Sequence, residues 1–392
     1  MKRTAIIVPE FNECSRGNLE GRLNYFDHLA SSYQDLIDVI IVDDASTDGS
    51  KKFIQEYVAQ NKPQFKVHFM EKNGQKVGAL KEGVENCSAD IDTILLTDFD
   101  STIPDESMKD FQEMVDMLHS EDRAGMALRV DTSNGDQSYL AFLQGLEYII
   151  GRGFHYVAKK EGKTRCIAGA GGIWKRNVLE RLFPEHSGRH NGDDMELTAL
   201  AMKHGHRLDY HPFSIKTIAP TKFRELIKQR IRWELGALET IDKERKFYLK
   251  TCLSAVTKPL TKGKLDHFGF WKAWQIGTYI IIPYGITQIA KYGCELEWKY
   301  FASYLACDLG FLVALSALNR KEISKDPKTI ASYLVLPFYN LGVQYPSRTI
   351  ALAKHFNNRV GDLARKVAEK IPNMYQVAEH VTTAAVVASQ MF

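Results

Sequence analysis

The segment Thr93-Ile94-Leu95-Leu96-Thr97-Asp98-Phe99-Asp100 decides the fold, because it joins a short apolar run directly to two carboxylates. Three similar runs, rich in β-branched residues, occur in the first half of the chain: Ala5–Val8, Val39–Val42 and Lys66–Met70. Polar loop residues and then a helical pattern follow each run. This alternation predicts parallel strands in a doubly wound α/β sheet.

Two other carboxylate pairs fit this arrangement. Asp43-Asp44 directly follows the run Val39–Val42, just as Asp98 follows its own run. Ligands of doubly wound folds bind at the carboxyl ends of the strands, so these residues should share one crevice. Asp193-Asp194 stands before a helical pattern at Met195–His204, which predicts carboxylates at a helix start.

The remaining elements suggest two regions. A strand is expected at residues 124–130, a helix at Tyr139–Phe154, a short strand with a glycine cluster at 164–172, and a helix at Lys222–Leu238. The character of the chain changes after about Lys250. We therefore assign residues 1–245 to a catalytic domain and residues 246–392 to a mostly helical C-terminal region.

Charge and cysteine usage differ along the chain. Of its 392 residues, the first 219 hold 26 Lys and Arg against 34 Asp and Glu, and the remainder hold 25 against 14. The acidic first part of the chain suits the binding of a cation, and the basic second part suits the binding of an anionic partner. The six cysteines form no C-x-x-C pair, and Met1-Lys2-Arg3 leads straight into a strand pattern. We therefore expect a catalytic domain in the cytosol.

The C-terminal region contains three apolar stretches, at residues 273–290, 300–319 and 329–347. Each is near the length of about 20 residues that a membrane-spanning helix needs, and aromatic residues cluster near their edges. An amphipathic pattern follows from Arg359. We expect a membrane-embedded or membrane-lying region, and buried helices of a large domain are the alternative.

The carboxylates suggest a metal and a nucleotide. Asp98 and Asp100, two positions apart after a strand, can hold one Mg²⁺ or Mn²⁺ that bridges the phosphates of a nucleotide diphosphate. Asp43 or Asp44 can accept the N3–H of a uracil, and Asp194 can act as a general base. Each assignment has an alternative. Asp98 and Asp100 could belong to a solvated turn, and the segment at Asp43-Asp44 could serve helix capping. Asp194 could be a carboxylate that the helix dipole favours at a helix N-terminus.

A further motif, Gln229-Arg230-Ile231-Arg232-Trp233, lies on the helix predicted at Lys222–Leu238. Positions i, i+3 and i+4 share one helix face, which places an amide, a guanidinium and an indole together. Arg232 suits a diphosphate and Trp233 a sugar ring, although an amphipathic helix with a buried Trp is the alternative. Lys76 is a second candidate phosphate ligand, and the glycine run 169–172 allows a sugar acceptor to approach the backbone.

In combination, these segments resemble family 2 glycosyltransferases of the cellulose, chitin and hyaluronan synthase type. The resemblance rests on Val8–Glu13, Val42–Ser46, Asp98–Asp100, Gly192–Asp194 and Gln229–Trp233, which match the D, DxD, ED and QxxRW set. It covers about residues 4–240. It implies a GT-A fold with a doubly wound mixed sheet, a nucleotide-sugar donor, often UDP-linked, a divalent metal and inversion at the anomeric carbon.

The resemblance also implies roles for individual residues. The donor would be bound by Pro9, Phe11, Glu13, Asp43, Asp44, Lys76, Asp98, Gln229 and Arg232. Asp98 and Asp100 would bind the metal, and Asp194 would be the base. The acceptor would be bound by Trp233, Gly171, Gly172 and Asp193. Phe11 stands where the family often has Tyr, and Asp193 stands where Glu or Thr is usual.

These observations favour an inverting transferase acting on a membrane-held lipid or glycolipid at the cytosolic face. With no apolar stretch before the domain and at most three after it, the chain resembles the smaller, lipid-directed members. Processive synthesis of a β-linked polysaccharide is the alternative. A nucleic-acid acceptor and a non-catalytic carbohydrate-binding protein are weaker ones.

Overall fold

A computed structural model describes residues 3–120, 122–188, 191–262, 266–292, 306, 309–310, 312–314, 316–317 and 326–370. The chain divides into two compact units. Unit 1 comprises Met1–Ala219 with Leu315–Ile323, and unit 2 comprises Pro220–Ala314 with Ser324–Phe392. The helix that carries Gln229–Trp233 falls in unit 2. The sequence had placed it in the catalytic domain.

Unit 1 is built on one seven-stranded sheet, in the spatial order β3-β2-β1-β4-β6-β5-β7. The strands are β1 (Arg3–Glu10), β2 (Ile37–Asp43), β3 (Lys66–Phe69), β4 (Ile91–Leu96), β5 (Arg123–Thr132), β6 (Gly172–Lys175) and β7 (Arg207–Thr217). Strands β1 to β4 pair in parallel, and β6 runs antiparallel to both β4 and β5. The sheet is therefore mixed.

Helices pack around this sheet because their apolar residues recur on one face. They are α1 (Leu19–Ser32), α2 (Ser50–Asn61), α3 (Gln75–Glu85), α4 (Asp105–Met108), α5 (Phe111–Ser120), α6 (Tyr139–Gly151), α7 (Gly153–Ala158), α8 (Arg176–Leu182) and α9 (Asp193–Lys203). In α1, for example, Leu19, Leu23 and Phe26 are buried against Val39 and Ile41 of the sheet.

The strands expected from the first four apolar runs and from residues 124–130 are confirmed. The expectation for residues 164–172 was wrong, because the strand there begins only at Gly172. The predicted helix at Tyr139–Phe154 is divided between α6 and α7.

Unit 2 is helical in its described residues. Its helices are α10 (Phe223–Lys243), α11 (Arg245–Lys262), α12 (His267–Tyr292), α13 (Pro327–Tyr339) and α14 (Tyr345–Lys370), with a π-helical turn at Asn340–Gln344. Leu238, Tyr279 and Ala351 form a small core between α10, α12 and α14. Next to this core, Arg348 Nη2 lies 2.7 Å from Glu234 Oε1, so an ion pair also joins α10 and α14.

Among the described residues, no helix combines the length and the hydropathy required to cross a bilayer. The apolar stretch 273–290 lies within α12, and the stretch 329–347 is divided among α13, the π-helical turn and the start of α14. Most of the stretch 300–319 lies outside the described residues, as does the part of the tail after Lys370.

Candidate active site

Acidic side chains gather at one edge of the sheet in unit 1. Since β1, β2 and β4 are parallel neighbours, their carboxyl ends meet at this edge. Glu10 ends β1 and pairs in register with Asp43, which ends β2. Asp98 follows the end of β4 by two residues. The predicted crevice therefore has three adjacent strand ends as its floor.

The pair Glu10 and Asp43 is completely buried. Glu10 accepts hydrogen bonds from Glu13 N at 3.0 Å and from Ser46 Oγ at 3.1 Å, while Asp43 Oδ1 accepts from Ser46 N at 3.2 Å. Burial, together with the neighbouring Asp43 carboxyl, raises the pKa of Glu10 to about 8. Glu10 therefore keeps its proton near neutral pH.

Asp44, the second residue of the Asp43-Asp44 motif, holds a different segment in place. Its Oδ1 accepts a hydrogen bond from Gly74 N at 2.6 Å, and its carbonyl accepts one from Asn73 Nδ2 at 3.0 Å. Burial raises the pKa of Asp44. Because Gly74 precedes α3, Asp44 fixes the helix start that carries Lys76. The exposed ring of Phe11 and the partly buried Pro9 lie at the end of β1 nearby in sequence.

Asp98 and Asp100 lie in a loop that is held by a residue the sequence reasoning missed. Arg22 of α1 donates from Nε to the Phe99 carbonyl at 2.6 Å, and from Nη2 to the Ser101 carbonyl. Burial, and then the charge of Asp98, raises the pKa of Asp100. Arg22 carried no motif signal, because its position on the buried side of α1 depends on the tertiary fold.

Lys76 connects the carboxylate clusters that the sequence had assigned to separate motifs. Its Nζ lies 2.5 Å from Asp98 Oδ1 and 3.7 Å from Asp193 Oδ2. Burial lowers the pKa of Lys76, but Asp193, Asp98 and Asp194 together raise it above its usual value. The ammonium is therefore charged and compensates part of the surrounding negative charge.

Asp193 and Asp194 form the first turn of α9, as expected. Asp194 Oδ2 accepts from Gly169 N at 3.1 Å, and its Oδ1 accepts from Met195 N at 2.8 Å. Burial, followed by the charge of Asp193, raises the pKa of Asp194, while Lys76 lowers it. A carboxylate with a raised pKa is a stronger base, which suits proton abstraction from a hydroxyl.

A neighbouring histidine, also missed by sequence reasoning, supports this helix start. His186 Nδ1 accepts from Gly188 N at 3.1 Å, so Nε2 carries the proton and donates to the Asp193 carbonyl at 2.9 Å. Ser187 N donates to Glu196 Oε1 at 2.8 Å, which ties the same loop to α9. A small cavity next to Asp194 is lined by His186 and by apolar residues such as Val77, Ile167 and Trp174.

The glycine run contributes to the site mainly through Gly169. A Cβ there would lie 2.5 Å from Lys76 Nζ, so a larger residue would require that ammonium to move. At Gly171 and Gly172 a Cβ would instead meet apolar side chains, Ile215 at 3.0 Å and Ile167 at 2.3 Å. Packing therefore accounts for these two glycines, and their acceptor role stays a prediction.

The motif residues Gln229, Arg232 and Trp233 lie on α10 in unit 2. Arg230 is buried here. Its Nη1 donates a hydrogen bond to Gln229 Oε1 at 3.1 Å, and its Cζ lies 4.2 Å from the centroid of the Trp233 ring. Arg232 is exposed, and 40% of Trp233 is exposed. Their contacts with a donor or an acceptor stay predictions.

The site residues fit a divalent cation only when a ligand completes the coordination. Among the described residues, no three His, Cys, Asp or Glu side chains are grouped as a metal site. Asp98 and Asp100 could supply two oxygen ligands, and burial, followed by the charge of Asp98, raises the pKa of Asp100. Mg²⁺ commonly takes one or two carboxylates and completes its shell with phosphate and water. The pair suits such a cation.

Comparison with known proteins finds a family model and relatives that match part of the chain. Residues 5–183 match the model of the family described as Glycosyl transferase family 2. An N-acetylglucosaminyltransferase from Bradyrhizobium diazoefficiens is 24% identical over 238 residues, which are 58% of this chain and 47% of that protein. A dolichyl-phosphate beta-glucosyltransferase from Dictyostelium discoideum is 25% identical over 214 residues, which are 51% of this chain and 62% of that protein. The chain thus spans less than two thirds of either relative.

One solved structure has a similar fold. It is a mannosyltransferase from Pyrobaculum calidifontis in complex with GDP-Man and Mn²⁺. The two chains superpose with a TM-score of 0.55 over 90% of this chain and 87% of that one, at 16% sequence identity. The likeness at this identity concerns the fold alone.

Proposed function

We propose that this chain moves a sugar from a nucleotide-diphosphate sugar to a hydroxyl of a membrane-held lipid or glycolipid. The match of residues 5–183 to the glycosyl transferase family 2 model and the GT-A-like mixed sheet support this proposal. The transfer inverts the configuration at the anomeric carbon of the sugar. The supporting observation is the position of Lys76, whose Nζ lies 2.5 Å from Asp98 and 3.7 Å from Asp193. Two carboxylate clusters that are far apart in the chain thereby lie next to one ammonium group.

In this proposal the donor lies along the carboxyl edge of the sheet. Asp43 or Asp44 accepts from the nucleobase, next to Phe11, Pro9 and Glu13. UDP-sugars are the first candidates because the resemblance favours them. A guanosine donor is the second candidate, because the Pyrobaculum mannosyltransferase binds GDP-Man.

Asp98 and Asp100 would hold Mg²⁺ or Mn²⁺, and the cation would neutralise the leaving diphosphate. Arg22 keeps their loop in place through the carbonyls of Phe99 and Ser101. Lys76 then contributes a further positive charge to the diphosphate. Gln229 and Arg232 are proposed as further ligands of the diphosphate, as the resemblance implies.

Asp194 is the proposed base. Its carboxylate removes the proton of the acceptor hydroxyl, which then attacks the anomeric carbon on the face opposite the leaving diphosphate. The raised pKa of Asp194, caused by burial and by Asp193, supports this role. Trp233, Gly171, Gly172 and Asp193 are proposed to bind the acceptor.

A lipid acceptor is proposed from the basic, apolar C-terminal region and from the name of the Dictyostelium relative, a dolichyl-phosphate beta-glucosyltransferase. We place the enzyme at a membrane with its catalytic domain in the cytosol. The second candidate is processive polysaccharide synthesis, which is favoured by the resemblance to the large synthases. The products distinguish the two, because a lipid-directed transferase adds one or a few sugars and a synthase yields a ladder.

The test is a donor screen. Nucleotide release is measured for UDP-glucose, UDP-N-acetylglucosamine and GDP-mannose, with Mg²⁺ or Mn²⁺, and with or without polyprenyl phosphate in detergent. We expect one donor to be consumed only with metal and faster with lipid. Asp194→Asn, whose folding is verified by circular dichroism, provides the inactive control. Equal release by this variant would contradict the assignment of the base, and release without metal would contradict the assigned metal site.

A further inference from the structure

Helix α11 of unit 2 has an unusual composition. Its 18 residues, RKFYLKTCLSAVTKPLTK, include five Lys or Arg and no acidic residue. One face is buried through Tyr248 and Thr251. Helix α12 approaches this face closely, because a Cβ at Gly269 would lie 2.6 Å from the Thr251 carbonyl oxygen. The helix is therefore anchored to unit 2 along this side.

The opposite face of α11 is an exposed apolar stripe. It consists of Leu249, Leu253, Val256 and Leu260, which are 62%, 55%, 62% and 81% exposed. Their spacing of i, i+4, i+7 and i+11 places all four on one line along the helix. A contiguous apolar stripe of this kind indicates a binding surface.

Positive charge accompanies the stripe at the start of the helix. Arg245, Lys246 and Lys250 are exposed, and none of them pairs with a carboxylate in the part of the chain that the structure describes. Lys258, further along, is different, because its Nζ lies 2.6 Å from Asp266 Oδ2. The stripe is thus flanked by cations that lack a described partner within the protein.

We propose that the stripe and its cations bind an anionic lipid surface, with α11 lying in the plane of the bilayer. Its leucines and valine would enter the boundary between headgroups and acyl chains, and Arg245, Lys246 and Lys250 would contact lipid phosphates. An apolar face bordered by Lys and Arg is the arrangement that interfacial helices use. A symmetric dimer through α11 would instead bring like charges together, which disfavours a second copy as the occupant.

This surface lies on a different unit from the carboxylate crevice, so the proposal is independent of the donor chemistry. The test uses the full chain, which is sedimented with vesicles of phosphatidylcholine alone or of phosphatidylcholine with phosphatidylglycerol. We expect binding to the anionic vesicles only, and its weakening by salt. In the double variant Leu253→Gln/Val256→Gln the partition coefficient should fall by about tenfold or more. Lys246→Gln/Lys250→Gln should lower the partition coefficient on anionic vesicles by roughly tenfold or more.

Matched controls come from unit 1, where Ile218 is 56% exposed and Lys109 is also exposed. Ile218→Gln and Lys109→Gln should leave vesicle binding unchanged, and all variants should keep the wild-type circular dichroism spectrum and nucleotide release in detergent. The proposal is overturned if the wild type ignores anionic vesicles, or if the α11 variants bind them as the wild type does. A dimer that Leu253→Gln/Val256→Gln dissociates, with unchanged vesicle binding, would assign the stripe to a second copy and overturn it as well.

Discussion

The carboxyl groups of Glu10 and Asp43 face each other at the ends of two paired strands, and both residues are completely buried. The backbone carbonyl of Glu10 also accepts from Asp44 N at 2.9 Å, so Glu10 contacts both of the proposed nucleobase ligands, Asp43 and Asp44. Such closely placed carboxyl groups cannot both ionise without repulsion. The proton on Glu10 therefore couples folding near the proposed donor site to pH.

The first prediction concerns this proton. The pKa of Glu10 is raised from 4.5 to about 8, so its stabilising contribution is fully present below pH 4.5 and is lost as the pH rises toward 8. Glu10→Gln preserves the shape of the side chain, and the new amide can donate a hydrogen bond to Asp43 at any pH. We expect its melting temperature to fall less than that of the wild type between pH 6 and pH 9, as measured by circular dichroism.

The matched control is Glu56→Gln, which neutralises an exposed carboxylate on α2. Its melting temperature should follow the wild-type pH dependence. Identical pH curves for the wild type and Glu10→Gln would show that the pair does not hold a proton in this range.

The second prediction concerns Lys76, whose charge lies among Asp98, Asp193 and Asp194. Lys76→Met leaves three carboxylates without that cation. We expect the free energy of unfolding to fall by about 2 kcal/mol, less than for a fully buried pair because Asp98 is partly exposed. Mg²⁺ should raise the melting temperature of the variant more than that of the wild type, since Asp98 is then released to bind metal.

Lys81→Met, on the exposed side of the same helix α3, is the control and should change neither quantity measurably. If Mg²⁺ stabilises the wild type and Lys76→Met equally, Lys76 does not compete with metal at Asp98.

The comparison of sequence and structure shows which interactions a linear pattern encodes. Asp43 and Asp98 could be placed at the sheet edge because each follows a buried strand with a clear apolar run. Strand β7 gave no such signal. Its apolar and polar residues alternate, but the alternation shifts at Pro212, where the pairing with β5 changes register between Leu128 and Arg129.

The candidate site residues also divide into those that a linear pattern indicates and those that it does not. Motif positions such as Asp194 and Lys76 could be named as candidates from the sequence because their chemistry and spacing are local. Arg22 and His186 were missed because they act through backbone carbonyls, which any sequence supplies. The contacts of Arg232 with a donor are still predictions, since that residue belongs to unit 2.

The third prediction tests Arg22 as the support of the metal loop. Lys cannot reproduce the fork that donates to the Phe99 and Ser101 carbonyls. In Arg22→Lys we expect the Mn²⁺ concentration for half-maximal nucleotide release to rise by roughly tenfold, with the rate at saturating Mn²⁺ close to that of the wild type. Arg181→Lys, at an exposed position of α8, is the control. A lowered rate that saturating Mn²⁺ does not recover would assign Arg22 a different role.

The fourth prediction uses two neighbours that shift the pKa of Asp194 in opposite directions. Burial and then Asp193 raise it, and Lys76 lowers it. If Asp194 is the base, transfer requires its ionised form, so the rate falls on the acid side as Asp194 becomes protonated. Asp193→Asn should move this acid limb to lower pH, and Lys76→Met should move it to higher pH. Asp194→Asn should lower the rate by about 10²–10⁴-fold at every pH. The measurement is the rate of transfer at saturating donor and metal against pH. An acid limb that stays in place in both neighbour variants would mean that a group other than Asp194 takes the proton.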